Sequence, residues 1–135
     1  MKTTPLERLA RGLAGVAGTI DTATGVGLVV VPGLMLRLMG IHPMGPEAET
    51  FLRFTGVFVG WVGGSYLWAL GRGRRELRVI FALTAWGRFA AGTFCLWAIL
   101  TGRLAPAWCS VPVTDFILAT LQAWLLHRGV FQNEN

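Results

Sequence analysis

From Gly12 to Leu126 the chain is apolar with few interruptions, and each apolar stretch is close to the length that crosses a bilayer. About 20 residues of helix cover a hydrocarbon core about 30 Å thick. A chain of this kind satisfies its backbone through helices that bond within themselves. With 53% hydrophobic and 14% charged residues and a mean hydropathy of +0.56, its 135 residues are consumed by four spans, three short loops and two tails. No soluble catalytic domain fits beside them. There is no Gly-rich phosphate loop and no metal-spaced Cys/His cluster, so a nucleotide-binding fold, a disulfide-stapled module and a disordered chain are excluded as well. The expected fold is all-α: an integral membrane antiparallel four-helix bundle, one membrane domain over 1–135.

The spans are expected at about 12–36, 51–70, 79–101 and 108–126. The first is interrupted by Asp21 and by Pro32, where a bend is expected. Leu38 to Thr50, with two Pro, two Gly, His42, Glu47 and Glu49, reads as a wet loop. Phe54 to Gly71 is a charge-free run that ends in the basic cluster Arg72, Arg74, Arg75 and Arg78, the second loop. Gly102 to Ala107 is short enough to force an antiparallel hairpin.

The net charge of +5 would suggest nucleic acid as the partner of a soluble protein, but here it encodes topology. Lys2, Arg8, Arg11, Arg72, Arg74, Arg75, Arg78 and Arg128 lie on one side, against Arg37 and Arg103 on the other. This places both termini in the cytoplasm, with the lipid bilayer as the main partner and no nucleic acid. Trp68 and Trp124 fall at the inner boundary and Trp97 and Trp108 at the outer one, while Trp61 and Trp86 are expected in packing. Asp21 argues against a cleaved signal, because it would interrupt the apolar core such a signal needs. Cys95 and Cys109 are expected as two buried free thiols.

The informative residues are the charges inside the spans: Asp21, Arg53, Arg88 and Asp115. Each costs about 2.5 to 3.5 kcal/mol at the bilayer centre if left alone. Two acids and two bases sum to zero, as a paired network requires. Treating the chain as ideal hairpins, the order from outside to inside is Arg53, Asp115, Arg88, Asp21, in steps of about 4.5, 7.5 and 6 Å at a rise of about 1.5 Å per residue. Tyr66, Gln122 and Thr84 are candidate polar partners at the inner end. The plain reading of this ladder is an interhelical staple. The functional one is a proton or substrate path, or a polar cavity where arginine anchors the headgroup of a lipid or a quinone.

Gly56, Gly60 and Gly64 make a tandem GxxxG ridge, and Ala14, Gly18, Thr22 and Gly25 a similar stripe on the first span; such faces mean close helix packing, within the bundle or between protomers. Thr55, Thr84, Thr93 and Thr114 are expected to bond back to their own helices. A lone loop histidine, His42, is expected to be solvated, and two histidines at opposite ends make no metal site. No nucleophile, base and orienter can be assembled, so the chain reads as non-enzymatic.

Pro32 to Gly40 (Pro-Gly-Leu-Met-Leu-Arg-Leu-Met-Gly), Arg53 to Gly56 (Arg-Phe-Thr-Gly), Gly64 to Tyr66 and the in-span Arg88 resemble the small bacterial four-helix membrane proteins described as DoxX-like. The resemblance implies a bacterial inner-membrane location and, from some members, a quinone-linked redox or detoxification setting; it carries over no catalytic residue and no resident cofactor. Small multidrug exporters also place a carboxylate in the first of four spans, and Asp21 would then make this a proton-coupled transporter acting as a homo-oligomer. Their aromatic pattern around that acid is missing, and the charge bias is too strong for a protein inserted in both orientations. The reading carried forward is an accessory or small-ligand-binding component, in a homo-oligomer or a larger membrane complex.

Overall fold

Proline starts most of the helices. At the first helical position its missing N–H removes nothing, since that donor has no partner in the turn before it. Residues 4–131 are described by a computed structural model; Lys2 and the tail Gln132 to Asn135 lie outside the described residues. Helix α1 covers Pro5–Val30, capped by Thr4, whose hydroxyl accepts the Glu7 N–H at 3.2 Å. Pro32 opens the short α2, Pro32–Leu38, and Pro46 opens α3, Pro46–Arg72. Helix α4, Arg74–Leu100, follows a one-residue turn at Gly73, whose φ of 155° and ψ of −169° suit glycine alone. A 3-10 turn at Pro106–Cys109 leads into α5, Ser110–His127. No strand occurs among the described residues.

Three boundaries differ from expectation. The first apolar stretch is two helices, because Pro32 displaces the chain at Val31 (φ −132°, ψ 56°) and starts a new axis. The wet loop is shorter, since α3 begins at Pro46 with Glu47 and Glu49 in its first turn, where carboxylates suit the helix dipole. The basic loop shrinks to Gly73: Arg74, Arg75 and Arg78 lie on the first turns of α4.

Helix α1 packs along α3 and α4 along α5, with sparser contacts between the two pairs. The α1–α3 seam is made of backbone. A Cβ on Gly63 would fall on the Thr22 nitrogen and lie 2.7 Å from the Gly18 oxygen. One on Gly25 would fall on the Gly60 backbone, and one on Gly56 would meet the Cβ of Leu28 at 2.7 Å. Gly64 meets nothing within 4 Å. The ridge is therefore Gly56, Gly60, Gly63 and not Gly64: steps of four then three stay on one face, whereas two steps of four drift off it. Gly18, Thr22 and Gly25 repeat that four-three spacing on α1. In the other pair, Gly92 lets Phe116 and Asp115 approach α4.

The interior has three levels. At the end that carries the α3–α4 turn, Tyr66, Ala69, Leu77, Phe81, Leu125 and Phe131 pack with Ala10, Ala14 and Ala17. At the opposite end Leu28, Leu36, Ile41 and Leu52 pack together, with Trp108 against them. Between these clusters lie the charged side chains described below. Between its charged ends the exterior is apolar: Trp61 and Trp86 are 71% and 76% exposed, so both point outward, in correction of the expectation that they pack inside. Three helical segments, Pro5–Val30, Arg74–Leu100 and Pro106–His127, are long and apolar enough to cross a membrane. Helix α3 has the same 27 residues as α4, but its glycines, Ser65 and Tyr66 dilute its hydropathy.

Candidate functional site

Arg88 lies in the middle of α4 and is buried. Its guanidinium takes one carboxylate from each helix pair. One amino group donates to Oδ1 of Asp115 on α5 at 2.8 Å, and the other donates to Oδ2 of Asp21 on α1. The side chains are 9% exposed for Arg88 and 14% for each acid. A planar fork with several donors is the group suited to holding two acids at once. The expected depth order thus collapses to one level, because α1 and α5 both direct their acids at the head of a long side chain.

One turn nearer Gly73 the polar character continues. Tyr66 on α3 stacks below Arg88, whose Cζ is 6.0 Å from the ring centre. The phenol donates to Thr84 Oγ1 at 2.7 Å, and Thr84 donates in turn to the Ile80 carbonyl at 2.6 Å. The amide of Gln122 on α5 donates to Tyr66 Oη and, at 3.2 Å, to Thr84 Oγ1. Tyr66, Gln122 and Thr84, expected as partners, are thus brought together by α3, α5 and α4. The Arg88 Nε and Gln122 Oε1 atoms are buried without a partner among the described residues. Phe81, Leu77 and Leu125 close this column on the side of the α3–α4 turn.

Arg53 is not part of the centre. It pairs with Glu49, one turn earlier on α3, at 2.8 Å, and donates to the Val29 carbonyl in the last turn of α1. A carbonyl in the final helical turn lacks a partner within its helix, and Arg53 supplies one. The expected quartet is a triad, and its formal charge is −1 with both acids ionised.

A second buried pair was not expected. Glu7 accepts from Arg74 through both carboxylate oxygens, at 2.9 and 2.6 Å, tying the start of α1 to the start of α4. Arg11 donates to the Leu70 carbonyl at 3.1 Å at the end of α3. The spacing Thr4-x-x-Glu7, a helix-start signature, was the signal available for Glu7. His42 is exposed, as expected of a loop histidine. Thr55, Thr84, Thr93 and Thr114 each bond to the carbonyl four residues back. Both cysteines are free, but Cys109 is exposed and Cys95 only half-buried, in correction of two buried thiols. Among the described residues no group of three or more His, Cys, Asp or Glu could hold a metal ion.

No protein-family model, curated protein or solved structure matches the chain.

Proposed function

We propose that this chain is a non-enzymatic integral membrane protein with four antiparallel spans and both termini in the cytoplasm. It serves as an accessory or small-ligand-binding component of a bacterial inner membrane. The observation that carries this reading is Arg88: a guanidinium at mid-bundle, holding one acid from each helix pair, inside an exterior that is almost wholly apolar. Helix α3 is read as the fourth span because a single glycine joins it to α4 and its backbone lies against α1. Arg72 stacks on Trp68 and Arg128 on Trp124 at one end, Arg103 on Trp97 at the other. From the level of Trp68 on α4, near Arg78, to Trp97 is about 28 Å at a rise of about 1.5 Å per residue, close to one hydrocarbon thickness. Kinship with the DoxX-like class belongs to the same proposal and rests on the segments Pro32 to Gly40 and Arg53 to Gly56. Proton-coupled transport by a homo-oligomer is the second reading, favoured by two acids facing one base.

Reporter fusions at residues 4, 42, 103 and 131 test the topology, with the first and last expected inside and the middle two outside. Native mass spectrometry of the protein released from nanodiscs tests the role. An accessory subunit retains another polypeptide at fixed stoichiometry, and a ligand-binding component retains a small mass that Arg88→Leu loses. A chain that is alone and unliganded, with termini on opposite sides, contradicts the reading.

A further inference from the structure

We propose that the Asp21–Arg88–Asp115 centre is a proton-binding site, holding one exchangeable proton on its pair of carboxylates in addition to the two ion pairs. The inference rests on the reading of the bundle as membrane-spanning. It starts from a count of charge. Two acids meet one guanidinium, and the remaining groups do not restore the balance. On α3, Arg53 is turned to Glu49 and Val29, and the group facing Arg88 is the neutral phenol of Tyr66. On α4, the neighbour of Asp115 besides Arg88 is the Cys95 thiol. On α1, Glu7 is matched by Arg74 far below. On α5, Gln122 is neutral and engaged with Tyr66 and Thr84.

Each acid commits one oxygen to Arg88. Asp21 Oδ1 and Asp115 Oδ2 accept no hydrogen bond among the described residues. An ionised oxygen facing hydrocarbon without a donor is unfavourable, and a proton on either one brings the triad to zero charge. A metal cation fits the same charge less well: the guanidinium sits between the two acids and repels it, whereas a proton attaches to an outer lone pair away from Arg88. The proton comes from bulk water and returns there, with no other bond made or broken. Because Asp21 belongs to one helix pair and Asp115 to the other, the proton sits where the two pairs meet.

The full chain in phospholipid nanodiscs gives the test, read by the infrared carbonyl stretch of a protonated carboxylic acid and calibrated per chain. The wild type is expected to show one such group at neutral pH. Asp21→Asn and Asp115→Asn should each show none, since one acid then faces one guanidinium. The folded wild type keeps a proton that its unfolded chain releases above about pH 4, so its thermal midpoint should fall as pH rises from there until the folded centre gives the proton up, and both Asn variants should lack that fall. A wild type without the band, or a band that survives either Asn substitution, overturns the proposal. Co-flotation of the same samples with liposomes is scored separately: a chain that does not float contradicts the membrane reading, and one that floats without the band contradicts only the proton.

Discussion

The seam between α1 and α3 and the seam between the two helix pairs solve the same problem by opposite means. In the proposed membrane setting helices gain nothing from hiding apolar surface from water, so they would associate through close packing or through polar bonds. The α1–α3 seam uses the first: Gly18, Gly25, Gly56 and Gly63 bring backbones into contact. The seam between the pairs uses the second, through Arg88 with Asp21 and through Tyr66 with Thr84 and Gln122. The first is set by shape and has no protonation state. The second is set by charge and hydrogen bonding and carries an acid in excess.

The largest effect should come from filling the glycine seam. Gly63→Leu places a side chain on the Thr22 backbone, which cannot move aside as a flexible side chain would. Loss of the folded bundle is expected, read as loss of the cooperative unfolding transition in detergent. Gly25→Ala should also be costly, at the upper end of the range of about 1–3 kcal/mol for overpacking, because its Cβ would lie on the Gly60 backbone. A Gly63→Leu protein that unfolds like the wild type would remove backbone contact from the account.

Next in size is the polar column. Gln122→Leu removes a donor to both Tyr66 and Thr84 while filling similar space, and a loss of about 1–3 kcal/mol is expected from the hydroxyls left short of a partner. Arg53→Ala should cost less, about 0–1 kcal/mol, since its ion pair with Glu49 is part-exposed near the start of α3. An effect as large as that of Gln122→Leu would return Arg53 to the centre. The smallest changes separate glycines that lie together in sequence. Gly60→Ala meets only the Gly25 backbone, at 3.7 and 3.9 Å, and Gly64→Ala meets nothing within 4 Å. Both should be neutral or stabilising by up to about 1 kcal/mol from helix propensity, so opposed residues Gly25 and Gly60 respond in opposite directions.

The sequence made the triad legible for a physical reason: a charge deep in an apolar stretch has no water to meet, so Asp21, Arg88 and Asp115 had to find one another. The same rule did not bind Arg53, which sits near enough to the helix end to reach Glu49 and a free carbonyl. Gly63 and Gly64 are adjacent, and choosing between them required the phase of α3 against α1, which composition does not carry. Glu7 has basic neighbours in sequence, which name no distant partner; only the fold shows Arg74 brought to it across 67 positions. The boundary at Pro32 was visible as a break, but not that a new helix began there.

The central claim is that Arg88 clamps the two pairs by neutralising buried acids, and unfolding free energies of three proteins in one detergent test it most directly. Arg88→Leu strands two carboxylates and should lose about 3–5 kcal/mol. The triple variant Arg88→Leu, Asp21→Leu, Asp115→Leu removes all three ionisable groups together and should recover much of that loss, with Arg53 undisturbed on Glu49 and Val29. A triple variant no more stable than Arg88→Leu alone would contradict the clamp.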